Sequence, residues 1–240
     1  MTNAPRTIFT KPGGVLPESI ELVTSSLYLG PVHYYAYLQA VGKAEEDRFE
    51  HYVKQTFRNR CCIATPEGAQ VLTIPVVRNG TNHTPMRDIR LSDHGNWKHL
   101  HWKALRTAYE NSPFFEFYAY DLAPLYEKAF TFLVDFNEAL REVVLDLLGV
   151  RAEVRASETF VEPLGKETVE DASSAHRRVD LRLFASPKLS FETDKAFRPA
   201  NYFQVFEERT GFLPNLSIID LLSNMGPESR LVMRASLLPA

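Results

Sequence analysis

The stretch that most constrains the fold runs from Ile20 to Val41. Ile20 to Leu29 is rich in Ile, Leu, Val and Thr, the residue types that suit a pleated, half-buried strand. Gly30-Pro31 interrupts it, and Val32 to Val41 then carries Tyr34, Tyr35, Leu38 and Val41 at helical spacing. A strand, a tight turn and a helix in direct succession suit an α/β unit. We therefore expect a single α/β domain over residues 19–240, with a mixed β-sheet and flanking helices. Before it, Pro5, Pro12, Gly13, Gly14 and Pro17 predict a loosely ordered tail over 1–18.

Downstream, Leu133, Phe136, Leu140, Val143, Val144 and Leu147 keep a 3.6-residue period, and Gly149 follows where a left-handed cap is wanted. Residues 131–148 are predicted to be a packed amphipathic helix. Cys61–Thr65 and Val71–Val77 flank Pro66-Glu67-Gly68-Ala69 and read as a hairpin. A helix starts at Ser92 or Asp93 and runs to about Asn111; Pro113 ends it, and a shorter helix covers Asp121–Phe130. Met86–Leu91, Ala152–Val161 and Val179–Phe184 read as strands, Tyr202–Phe206 as strand or helix, and 163–176 as an exposed loop. A last helix spans Leu216–Met225, capped by Asn215 or Ser217 and stopped by Gly226-Pro227.

Composition excludes several classes of function. The apolar share of 45% and charged share of 24% are those of a globular protein. A net charge of −3 argues against nucleic acid and anionic membrane as partners. Cys61 and Cys62 are adjacent, so a structural disulfide between them is disfavoured and a reducing compartment fits. No signal peptide or membrane span is visible, which predicts a cytoplasmic protein. A homo-oligomer is left open.

Chemistry is densest from His51 to Cys62, where Lys54, Arg58 and Arg60 are interleaved with Tyr52, Phe57, Gln55 and Asn59. Phe49, Tyr52, Val53, Thr56 and Phe57 fit a helix, whereas Tyr52, Lys54, Thr56, Arg58 and Arg60 fit one face of a strand. Both readings put Lys54 and Arg58 on one side. The segment is either a wall for an anionic small molecule, held by forked and point-charge donors, or a solvated face ion-paired with Asp47 and Glu50. His33 follows the first strand, where open α/β sheets bind ligands, and is a candidate general base, as is His51. Tyr28, Tyr34 and Tyr52 would shape the pocket, and Asn59 and Arg60 would add anion contacts. Asp220 is either the capping partner of Ser217 or a buried acceptor for a site cation. Cys61 or Cys62 could act as nucleophile only with a depressed pKa. His99 and His101 point roughly 200° apart on a helix, which disfavours a shared metal ion; no metal or cofactor is expected.

Three segments carry a resemblance: Tyr28-Leu29-Gly30-Pro31-Val32-His33-Tyr34-Tyr35, Glu50 to Cys61, and Gly211-Phe212-Leu213-Pro214-Asn215-Leu216 through Pro227. With the Trp97–Phe115 region, they resemble the WbqC-like protein family, in its Bacteroidetes-type branch. The resemblance implies a transferase in bacterial surface-polysaccharide (O-antigen) biosynthesis, acting on a sugar nucleotide or an acyl or aminoacyl donor. Many relatives carry Gln-Pro-x-Tyr-x-Pro after the first strand; Ser25-Ser26-Leu27-Tyr28-Leu29-Gly30-Pro31 here keeps a tyrosine and a proline but no glutamine. The alternative is a non-catalytic binding or assembly protein using the same cationic-aromatic surface.

Overall fold

The computed structural model describes residues 20–77, 83–163, 177–187 and 191–237. The expected N-terminal tail and nearly all of the expected loop over 163–176 lie outside the described residues. In chain order the elements are β1 (Ile20–Thr24), α1 (Val32–Val41), β2 (Lys43–Glu46), β3 (Arg60–Thr65) and β4 (Gly68–Thr73). Then come α2 (Trp97–Tyr109), α3 (Phe115–Glu127), α4 (Leu133–Leu148), β5 (Glu153–Ala156) and β6 (Arg177–Asp180). The short α5 (Glu207–Thr210), α6 (Ile218–Met225) and α7 (Ser229–Ser236) complete the series.

Parallel and antiparallel pairings are both present, divided between two sheets. β5, β2, β1 and β6 lie side by side in that order, all parallel, with Leu22 of β1 opposite Ala44 on one side and Val179 on the other. The β3–β4 hairpin forms a separate antiparallel pair, Cys62 opposite Val71, as the Gly-bearing link predicts. Because β1 is central, α1 must cross from it to β2, and this helix sits in the core. Every residue from Val32 to Leu38 is buried, so the helix has no solvated face and shows little amphipathicity. Gly42 closes it in the left-handed region, φ 74°, its N–H bonded to Leu38 O.

Helix α4 follows its sequence pattern, with Gly149 at φ 62° as its cap. Elsewhere the chain departs from its local signals. Residues 52–59 are neither helix nor strand: Gln55 takes a positive φ of 60°, which breaks both periods, and β3 begins only at Arg60. Met86–Asp88 is a 3-10 turn where a strand is predicted, and Tyr202–Phe206 is irregular. The helix after Ser92 starts at Trp97, and the next takes in the aromatic run from Phe115. β5 stops at Ala156, and β6 gives way to a 3-10 turn at Arg182–Ala185. Two elements carry no clear sequence signal: β2, whose inward residues are Ala44 and Glu46, and α7, which follows Gly226-Pro227 after a single 3-10 turn.

The loop joining β1 to α1 is pinned by the start of α6. Val32 N–H donates to Leu216 O (3.0 Å), Ile218 N–H to Gly30 O (2.9 Å) and Ser217 Oγ to Leu29 O (2.7 Å). α6 and α7 both pack against α1.

Candidate functional site

The carboxyl end of the parallel sheet is where this architecture gathers chemistry, because helices and loops leave the strands there. Chain leaving β2 runs through Glu46, Asp47 and Glu50, all buried. Each acid meets an arginine from elsewhere. Arg141 of α4 pairs with Glu46 Oε2, and Arg48 Nε with Glu46 Oε1 at 3.1 Å. Arg182, just past β6, reaches Asp47 Oδ2 at 2.6 Å and Asp180 Oδ2 at 2.6 Å. Arg58 holds Glu50 with both forks, Nε to Oε1 at 2.7 Å and Nη2 to Oε2 at 2.6 Å, and also donates to Ser25 Oγ at 3.0 Å. Burial pushes the Glu50 carboxyl up, against the opposing pull of Arg58 and Ser25.

This lattice decides where the predicted anion-holding residues stand. Arg58 is buried and already occupied by Glu50, whereas Lys54 is exposed, so the two do not share a side. The ion-paired alternative is the arrangement found at Arg58. Asn59 is buried and spends its amide on Ile74 O at 2.9 Å; Arg60 is half-buried. Tyr52 is half-buried, and burial raises its hydroxyl pKa while Arg60 and Arg58 oppose the shift. His51 is exposed beside His83, their rings 5.0 Å apart. Tyr34 is buried, pushed up to about 12 chiefly by burial, with Arg141 opposing. Tyr28 is also buried; its hydroxyl meets His101 Nδ1 and Tyr126 OH, both at 2.9 Å. Burial in turn drives His101 down to about 4. The cysteines are free, but burial pushes both thiols up, Cys62 even beside Arg60, the reverse of what a nucleophile needs.

His33 belongs to a different constellation. It occupies the first turn of α1, beyond β1, and its ring packs on Phe184 beyond β6 at 4.7 Å. Its Nε2 lies 2.8 Å from Asp194 Oδ2, the same oxygen that accepts from Tyr37 OH at 2.6 Å. Asp194 Oδ1 accepts from Ala196 N–H at 2.9 Å. Burial alone would raise this carboxyl, but the bonds to His33 and Tyr37 outweigh it and hold Asp194 below its usual value. Asn215 Oδ1 accepts from the His33 main-chain N–H at 2.9 Å, fixing the helix start.

Asp194 also lines an open cleft of about 610 Å³, within the roughly 300–1,000 Å³ of small-molecule sites. Phe191, Phe197 and Phe212 supply its apolar surface, and Lys195 and Arg198 are its cations. The side chains of those two cations make no ion pair or hydrogen bond among the described residues. The cleft therefore joins an aromatic surface, two cations unpaired among the described residues, the acid Glu192 and a histidine–carboxylate pair. Sequence reasoning reached His33 but not Asp194, Tyr37, Lys195 or Arg198. Asp194 lies 161 residues from His33, and no local spacing signals the pair.

Asp220 is fully buried and does not cap α6; Ser217 does that through Ile219 N–H at 3.4 Å. The Asp220 carboxylate instead accepts from Tyr202 OH at 2.6 Å and Gln204 Nε2 at 2.9 Å, so it serves neutral donors rather than a cation. Among the described residues, no group of three or more His, Cys, Asp or Glu is arranged to hold a metal ion. No helix there is long and apolar enough to cross a membrane.

Comparison with known proteins agrees with the likeness seen in the three segments. The uncharacterized protein Rv1507c of Mycobacterium tuberculosis strain H37Rv is 32% identical, the match covering 74% of this chain and 81% of that protein. No solved structure matches the chain. The profile of the WbqC-like protein family matches residues 28–232, from Tyr28 at the β1–α1 turn to Val232 in α7, and the chain belongs to that family.

Proposed function

We propose that this protein is a transferase acting on an activated, anionic small molecule in bacterial surface-polysaccharide assembly, and that the cleft beside His33 is its site. The observation that carries the reading is His33 bonded to Asp194 on the wall of a cleft with two cations that are unpaired among the described residues. A sugar nucleotide or an acyl or aminoacyl donor presents an apolar or aromatic body and an anionic leaving group. Phe191 and Phe212 suit the former, Lys195 and Arg198 the latter. In the transfer, the acceptor hydroxyl or amine gives its proton to the His33 ring nitrogen not bonded to Asp194. The acceptor's electron pair forms the new bond to the transferred group, and the bond to the leaving group breaks, its electrons departing with the anion. Asp194 stabilises the imidazolium that results, as a carboxylate does in hydrolytic triads.

A second reading, a non-catalytic binding or assembly protein, is favoured by one observation: His33 is only 2% exposed. A thermal-shift screen with sugar nucleotides, acyl donors and amino acids, followed by product analysis, separates the two. The transferase reading expects a donor that raises the melting temperature, loss of that shift in Lys195→Ala/Arg198→Ala, and turnover that disappears in His33→Gln while donor binding persists. Binding with full turnover in His33→Gln, or binding indifferent to both cations, would overturn it.

A further inference from the structure

Two segments that the cleft depends on, 201–204 and 212–214, are irregular chain and need something beneath them to hold their shape. Gln204 provides the link. Its Nε2 donates to Leu213 O at 2.9 Å while its Oε1 accepts from Leu213 N–H at 2.8 Å, so one side chain substitutes for a strand partner. The same Nε2 also reaches Asp220 Oδ2 at 2.9 Å and Tyr202 OH at 3.2 Å. Tyr202 OH donates to that oxygen at 2.6 Å, and its ring meets Phe212 edge-on at 5.3 Å. One carboxylate oxygen thus organises the donors that set Phe212 and Pro214, both cleft residues, and the same stretch continues to Asn215 under His33.

We propose that Asp220 and Gln204 are positioning residues forming a proton-linked clamp: the Asp220 carboxylate draws in Tyr202 and Gln204 to set the cleft wall at Phe212, and its protonation releases that wall. The inference rests on the cleft being the ligand site, as argued above. A proton taken up on Asp220 Oδ1, which has no hydrogen-bond partner among the described residues, weakens Oδ2 as acceptor toward both donors and adds an O–H that must find its own acceptor in a fully buried position. The titratable groups facing Asp220 are Tyr202 from the wall and Tyr109 from α2, both neutral through the physiological range because burial pushes their hydroxyls up. Burial lifts the Asp220 carboxyl from 3.8 to about 6, with the bonds from Tyr202 and Gln204 opposing, so the release falls within a pH range cells reach.

The test is 19F NMR of the full chain carrying 4-fluorophenylalanine at Phe212, titrated without ligand. The expected result is a resonance that moves between two limits with a midpoint near pH 6. His33→Gln, which removes the imidazole bonded to Asp194 of the cleft, is expected to leave that titration in place, and Asp220→Asn to abolish it. Gln204→Ala keeps the carboxylate but cuts the tie to Leu213, so its signal is expected to stay near the low-pH limit throughout. A resonance insensitive to pH, a titration surviving in Asp220→Asn, or a native-like titration in Gln204→Ala overturns the clamp. Because no ligand is used, that failure leaves the transferase reading standing. Absence of any transfer alongside a normal titration defeats the transferase reading alone.

Discussion

Asp194 and Asp220 are both buried, yet their surroundings pull them in opposite directions. Asp194, beside His33, has a folded pKa below its usual value, so its contribution to stability is present above that value and lost as pH falls through the depressed one. Asp220 has no cationic partner and is raised to about 6, so its contribution is full below 3.8 and lost as pH rises through about 6. The displacement of Asp220 corresponds to roughly 3 kcal/mol between acid and neutral pH. Asp220→Asn, which keeps an oxygen for Tyr202 and Gln204, is therefore expected to gain stability relative to the native chain between pH 5 and 7.5. Urea denaturation across that range checks it, and parallel curves for the two proteins would contradict it. Arg58 gives the complementary case. Arg58→Met strands Glu50 beneath Ser25 and is expected to cost about 3–5 kcal/mol at pH 7. The deficit should shrink toward pH 5 as the abandoned carboxyl takes up a proton. Exposed Lys54 has no such partner among the described residues, and Lys54→Ala is expected to leave the denaturation midpoint where it was.

At the scale of elements, the joint between α6 and α7 is the most constrained turn. Gly226 sits at φ 54°, and a Cβ there would lie 2.6 Å from the ring of Phe114. Gly226→Ala combines a strained backbone with a clash against a packed aromatic, and is expected to destabilise by about 2–4 kcal/mol in thermal or urea melts. A melt unchanged by this substitution would mean that Phe114 moves aside freely. The same joint illustrates what sequence can convey. α4 was legible because its period and its glycine cap are both local, and the β3–β4 hairpin because its link is short. α7 was not, since Ser229–Ser236 is short, follows the Gly226-Pro227 stop and is held by α1, far away in sequence. β2 hides for a related reason: its inward Glu46 depends on Arg141, 95 residues on, as well as on nearby Arg48. The stretch from His51 to Cys62 was chemically conspicuous, but Gln55 with its positive φ breaks the periodicity on which a shared face would depend. Asp47 and Glu50 were visible as opposing charges; that Arg58 is taken up by Glu50 and Ser25 follows only from the fold.

Across the whole molecule, positive charge is divided into two populations. Arg58, Arg141 and Arg182 are little exposed and answered by acids at the carboxyl end of the sheet, whereas Lys195 and Arg198 face the cleft without partners among the described residues. Salt should act on them differently, because solvent-exposed charges are screened over about 10 Å at 0.1 M while buried pairs are not. Raising NaCl from about 50 to 500 mM is expected to weaken binding of a cleft anion such as uridine diphosphate several-fold and to leave the melting temperature nearly unchanged. Calorimetry and thermal melts test both halves, and a melting temperature that drops steeply with salt would contradict the insulated lattice. Helix α1 is buried from Val32 to Leu38. This helix, formed from residues 32–41, is covered by α6 and α7, and the turn before it is bonded to residues 216–218. During synthesis the ribosome must therefore deliver nearly two hundred residues after α1 before that helix can be enclosed. A nascent chain stalled after Gly211 should remain protease-sensitive, and the domain should acquire its native form only once α7 has cleared the exit tunnel.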